Sequence, residues 1–280
     1  MTQGPDLQAW LGRERVVHDT LAPQPARFMQ ATLDRESTFK AGDVLPPLWH
    51  WLYFIEASRA SELGRDAHPR RGGFLPPVTL PRRMWAGGRF TFHAPLVLGG
   101  DVTKRSVIKN ITEKEGRSGR LCFVTVEHTV VQAGVLALTE EHDIVYREDP
   151  DPHAPKVPFA AAPLGPGFSQ VVALTQVLLF RYSALTFNGH RIHYDVDYAR
   201  QVEGYDGLVF HGPLTATLLV DLACAHTQQT PVRFEFRGVA PISGPEVFWI
   251  EGRKSGDKVD LWARRKDGAL AMSATAYFQP

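Results

Sequence analysis

Two short strings constrain this chain more than anything else in it. Arg89-Phe-Thr-Phe92 and Arg233-Phe-Glu-Phe236 each open a run of alternating, strand-like segments, and each run follows a candidate helix. The first run is GRFTFHAPL, TKRSVIKNITEKEG, RLCFVTVEHTVVQAG and ALTEEHDIVYRE; the second is VRFEFRGVAPI, EVFWIEGRK, KVDLWARRK and LAMSATAYF. The preceding helices are read at 45–64 (LPPLWHWLYFIEASRASELG) and at 211–227 (HGPLTATLLVDLACAHT), with Pro47-Leu48 and Pro213-Leu214 at their mouths. Further upstream, Ala31-Thr32-Leu33 stands where Ala184-Leu185-Thr186 stands. Three matches in one order indicate an internal duplication.

Each half therefore reads as one long helix and four or five antiparallel strands, an α+β layout. A sheet wrapped around one helix is the hot-dog arrangement, and two make a double hot dog. The expected division is 1–150 for a degenerate, substrate-binding half and 151–280 for a catalytic half, with DPDPHAPKVP at 149–158 as the linker. A Pro-, Gly- and Arg-rich loop is expected over 65–88.

The halves differ between their two helices. The first has only DRESTFKAGDV there, whereas the second has NGHRIHYDVDYARQVEGYDGLVF. The wider segment 182–217 holds His190, His193, Asp195, Asp197 and His211 between apolar walls, one of them the buried-looking run from Val171 to Leu179. Dense polar chemistry between apolar walls is the pattern of a reaction site. His193 has the residue type that takes a proton from water and returns one to carbon. Gly212 opens an apolar helix, so its amide could face a developing oxyanion. His190, His193, Asp195 and Asp197 could ligate a metal, but their spacing is not that of a zinc helix, and no metal is expected.

Elsewhere the chain excludes more than it selects. With 31 basic and 30 acidic residues the net charge is +1, which argues against nucleic acid or an anionic membrane as partner. No apolar run approaches a membrane span and no secretory signal is visible. Cys122 and Cys224 read as small buried hydrophobes in a reducing compartment, so a cytoplasmic location is expected.

The segment resembles the MaoC-like (hydratase-2) hot-dog hydratases and dehydratases. Tyr182, Leu185, Thr186, Ile192, His193 and Ala199 keep the frame of that family's motif, while Phe187, Asn188, His190 and Arg191 replace its Gly, Asp, Asn and Pro. FNGHRIHYD, EGYDGLVFHGPL, LPPLWHWLYF and GGFLPPVTLPRRMWAGGRFTF are similar to a narrower subgroup. It contains type 2 hydroxyacyl-thioester dehydratases and the mesaconyl-C4-CoA and itaconyl-CoA hydratases. The resemblance implies addition of water across the C2=C3 bond of an enoyl-CoA. His193 would be the base, Asn188 the water holder and the Gly212 amide the oxyanion donor. Asn cannot accept the proton that the family's Asp takes, so His193 acts alone or Asp195 substitutes.

The implied partner is an acyl-CoA, with no separate cofactor and a homodimer as the expected assembly. His190, Asp195 and His211 are candidate substrate contacts. Arg82, Arg83, Arg181 and Arg191 are candidates for a substrate carboxylate or the CoA phosphates. Trp49, Trp51, Tyr53 and Phe54 form an aromatic wall of the first half. A fatty-acid-synthesis dehydratase, an acyl-thioesterase and a non-catalytic acyl-CoA-binding subunit are the competing readings.

Overall fold

The computed structural model describes residues 6–116, 119–149, 158–244 and 247–279. The first half runs β1 (Glu14–Thr20), α1 (Pro23–Thr32), β2 (Arg82–Phe92), β3 (Asp101–Gly116), β4 (Gly119–Gln132) and β5 (Val135–Arg147). The second runs β6 (Phe168–Ala173), α2 (Gln176–Leu185), α3 (Val196–Gln201), α4 (Gly212–Thr227), β7 (Arg233–Gly238), β8 (Val247–Ser255), β9 (Lys258–Arg264) and β10 (Leu270–Tyr277). Residues 150–157, most of the expected linker, lie outside the described residues.

All ten strands form one antiparallel sheet, ordered β1-β3-β4-β5-β2-β7-β10-β9-β8-β6. Read outward from its centre, each side repeats the same strand order, so the duplication is visible as a pseudo-twofold. Its axis passes between the two strings that announce it. In the β2–β7 pairing Phe90 faces Phe234, Arg89 faces Glu235 and Thr91 faces Arg233. Both phenylalanines are buried, with ring centroids 6.1 Å apart. The upstream correspondence holds too, since α1 ends at Thr32 and α2 at Leu185, the positions matched from sequence.

Inside the second half lies α4. It is apolar on all sides, from Leu214 through Val220 and Ala223, as a helix enclosed by a sheet must be. Pro213 suits its first turn, and left-handed Gln228 ends it.

The first half has no counterpart. The helix expected over 45–64 is replaced by two short 3-10 turns, Trp49–Leu52 and Ala60–Glu62. Leu48 and Phe54 take positive φ values of 67° and 57°, which break helical continuity on both sides of the first turn. Leu45, Leu48, Trp49, Leu52 and Tyr53 are buried at helical spacing, but Phe54, also buried, falls on the opposite side of that stripe. Buried Glu140 also draws both His50 Nε2 (3.0 Å) and Trp51 Nε1 (3.1 Å).

Three smaller expectations change. Strand β1 was not anticipated, and α1 begins inside a stretch that reads as a turn, because Pro23 sits in its first turn. The expected loop 65–88 becomes β2 from Arg82 onward. The supposedly buried run 171–179 is an edge strand and a helix start, with Val171 and Val177 exposed and Thr175 capping Leu178 N–H at 3.1 Å.

The seam tolerates no side chain at Gly87, where an added Cβ would lie 2.5 Å from the Phe236 carbonyl oxygen. Gly87→Ala should lower stability by about 1–3 kcal/mol. Urea denaturation checks this, and a wild-type midpoint would show that the seam yields.

Candidate active site

Between α2 and α3 the chain makes a 3-10 turn, Arg191–His193, that presents His193 inward. The turn is pinned by Val209 N–H to the Ile192 carbonyl (2.9 Å) and Arg191 N–H to the Asp66 carbonyl (3.1 Å). His193 Nδ1 lies 2.8 Å from the Val209 carbonyl oxygen. A carbonyl only accepts, so Nδ1 carries the proton and Nε2 keeps its lone pair. Burial pushes the His193 pKa down to about 3 against the pull of that hydrogen bond, so the ring is neutral at pH 7. A buried, neutral imidazole with a fixed tautomer is equipped as a base.

His211 stacks on it, with ring centroids 3.6 Å apart at 19°. Its Nε2 is 2.9 Å from Ser183 Oγ, and its buried Nδ1 has no partner among the described residues. Burial first, and then the neighbouring His193, hold it well below the ordinary histidine value. The ring behaves as a neutral platform.

Gly212 is the first residue of α4, a position whose N–H has no acceptor within the helix. A Cβ built there would meet nothing within 4 Å, so open space borders this amide. That space and the helix dipole suit a developing negative charge.

The remaining candidates divide sharply. Asn188 Oδ1 accepts the His190 N–H at 3.0 Å, a local turn following left-handed Phe187, which leaves only its amide nitrogen for a ligand among the described contacts. Asp195 caps α3 through Tyr198 N–H (2.9 Å) and holds Arg191 at 2.7 Å. Both members of that pair are thereby committed, so Asp195 is not a free second base and Arg191 is not a free anion binder. Arg181 sits on the surface, 3.3 Å from the Ala31 carbonyl. Arg82 is buried against Glu203 (2.9 Å) and the Tyr205 hydroxyl (2.8 Å). Of the four, Arg82 and Arg191 are paired with carboxylates, whereas Arg83 and Arg181 have none within ion-pair distance among the described residues, and of these two Arg83 is the half-buried one.

Sequence reasoning missed the other half's contribution. The loop at 64–68 packs on 188–191 and brings Asp66 and His68 into the site. His68 lies 4.3 Å from His190, itself 5.5 Å from His193, measured between ring centroids. Asp66 Oδ2 accepts a hydrogen bond from His68 Nδ1 at 3.0 Å. Burial acts to raise Asp66, but the hydrogen bond from His68 helps to outweigh it and keep the carboxylate ionised. Glu203 is likewise held low, because His190 and Arg82 overcome its burial. The only sequence signal was Asp-Ala-His inside a loop read as connection.

The donor set considered and discounted from the sequence is not free to act together, because His193 Nδ1 and Asp195 are committed elsewhere. Instead Asp66, His68 and His190 place donor atoms within 4.8 Å of one another, as do His128, Glu140 and His142 deeper in the first half. Either set has metal-compatible donors.

Residues 48–244 match the family model described as hydroxyacyl-thioester dehydratase type 2. The chain belongs to that family. A mesaconyl-C(4)-CoA hydratase of Chloroflexus aurantiacus is 48% identical over 271 residues, 96% of this chain and 97% of the relative. The mitochondrial hydroxyacyl-thioester dehydratase type 2 of Schizosaccharomyces pombe is 28% identical, over 81% of this chain and 85% of its own. A Mycobacterium tuberculosis protein described as a double hot dog superposes with a TM-score of 0.55 at 14% identity, covering 98% of both chains. This member of the type 2 family is thus a double hot dog and, among the described residues, has one enclosed helix, in the half that carries His193.

Its neutral histidines set its acid limit. Burial depresses His193 and His128 to about 3 and His68 and His142 to about 4, with His211 also low. An unfolded histidine titrates near 6.5, so below that pH the unfolded chain binds more protons than the folded one. Stability is full above pH ~6.5 and lost as the pH falls through it. Asp221, raised to about 6 by burial, works in the opposite direction but is one group against five. The urea midpoint should drop steeply between pH ~7.5 and ~5.5; a flat profile would contradict the neutral assignment.

Proposed function

We propose that the chain reversibly hydrates the C2=C3 double bond of a branched dicarboxylic enoyl-CoA, 3-methylfumaryl-CoA (mesaconyl-C4-CoA), to citramalyl-CoA; itaconyl-CoA, whose double bond joins C3 to its methylene, would give the same product by addition of water at C3. The observation that carries the reading is 48% identity, over nearly the full length of both chains, to a mesaconyl-C(4)-CoA hydratase.

In this mechanism His193 Nε2 takes a proton from water as the oxygen attacks C3. The double-bond electrons move onto the thioester oxygen, which the Gly212 amide stabilises. The enolate then collapses and C2 takes up the proton that His193 holds, so one imidazole serves as base and acid. Asn188 can orient the water through its amide nitrogen but cannot accept a proton. His190 and His211 shape the pocket around the reacting ring. Coenzyme A enters as part of the substrate, and no further cofactor is required. No helix of the described residues is long and apolar enough to cross a membrane. Two free cysteines fit a cytoplasmic enzyme, and the sheet edges β1 and β6, with Val16 and Val171 exposed, fit a homodimer.

The test is turnover of mesaconyl-C4-CoA, itaconyl-CoA and crotonyl-CoA, following loss of enoyl absorbance beside free-thiol release. Thiol release without hydration would replace the reading with a thioesterase. Tight binding of all three without turnover would indicate a binding subunit. His193→Ala should reduce kcat by about 10²–10⁴-fold with an unchanged melting temperature; retained activity would remove His193 from the mechanism.

A further inference from the structure

Strand β2 places Arg82 and Arg83 side by side, and strand alternation sends them to opposite faces. Arg82 is spent on Glu203 and Tyr205. Arg83 lies directly opposite Tyr146, and Tyr146 opposite Cys122, so these three residues share one face of the first half's sheet. Tyr146 is 0% exposed. Its hydroxyl lies beside Arg83, close enough to feel that charge, yet forms no hydrogen bond of ordinary geometry. A buried phenol normally finds a partner, so this one awaits an acceptor.

Behind it stands a second guanidinium. Arg71 lies 5.2 Å above the Tyr146 ring and donates to the carbonyls of Val78, Leu80 and Pro81. Among the described residues neither Arg71 nor Arg83 has a carboxylate within ion-pair distance. With Arg71 satisfied only by backbone carbonyls, the two half-buried cations and the Tyr146 hydroxyl make a cluster of donors with no anion to balance it. The cluster borders the site described above, because Arg82, next in the strand, holds Glu203 at 2.9 Å and Glu203 lies 3.8 Å from His190 Nε2.

We propose that Arg83 and the Tyr146 hydroxyl, backed by Arg71, form an anion subsite that holds the free carboxylate of the acyl group and selects monothioesters of dicarboxylic acids. This deepens, and rests on, the reading of the site as an enoyl-CoA hydratase. A carboxylate and a phosphate of coenzyme A share the chemistry that such a subsite recognises, so the experiment must separate them.

Calorimetric binding of succinyl-CoA and butyryl-CoA does so, because both carry the same coenzyme and only the first has a free carboxylate. Wild-type protein should prefer succinyl-CoA. In Arg83→Gln that preference should fall by about tenfold to a hundredfold, the scale of a lost charge-assisted hydrogen bond. Tyr146→Phe removes only the hydroxyl and should give a smaller loss in the same direction. It decides the matter if Arg83→Gln has a lowered melting temperature. Equal weakening of both ligands would assign Arg83 to a phosphate, and a wild type without preference would remove the subsite; either result overturns the proposal. Turnover of mesaconyl-C4-CoA by wild-type protein is scored separately. Selective succinyl-CoA binding without hydration would therefore defeat the functional reading and leave the subsite standing.

Discussion

The pairing of β2 with β7 is the contact on which the molecule depends. It joins two five-stranded units into one sheet and brings their backbones so close that Gly87 must be glycine. It also carries the arginines of β2 to the second half's chemistry, where Arg82 meets Glu203 and Tyr205. The packing of the 64–68 loop on 188–191 is possible because that seam fixes the two halves at one separation. The candidate site is composite: His193 and the Gly212 amide come from one half, and the Asp66–His68 pair at its rim from the other.

A second physical theme is neutrality. Burial outweighs neighbouring charges at His68, His193 and His211, so these three rings stay uncharged. That is what allows His193 and His211 to stack at 3.6 Å, which two imidazoliums would resist. Fixed carboxylates sit further out, Glu203 beside His190 and Asp66 beside His68, each already engaged by a donor. The arrangement keeps a lone pair on His193 without placing an anion against the acyl group.

Much of the fold was legible because duplication leaves paired signals. The two Arg-Phe-x-Phe strings named the central strands, and the apolar run from Leu214 identified the enclosed helix. The first half misled because its aromatic run has helical spacing in places, while Leu48 and Phe54 turn the chain with positive φ, which no local pattern announces. In the site, His193 and Gly212 stood out through their neighbours in sequence. Asp66, His68 and Glu203 did not, because their relevance arises from loop packing across more than a hundred positions. Asp195 and Arg191 looked functional for the opposite reason. They are four residues apart and satisfy each other, which a bare spacing cannot distinguish from availability.

The Arg82–Glu203 pair has a consequence for how such a chain can change over time. Both groups are buried to 6% exposure, and each lies in a different half of the duplicated gene product. Stranding one partner of a buried ion pair costs about 3–5 kcal/mol. Separating the two halves, exchanging one of them, or changing either residue alone would therefore strand its partner. The contact lies beside the site itself, since Glu203 Oε1 also sits 3.8 Å from His190 Nε2.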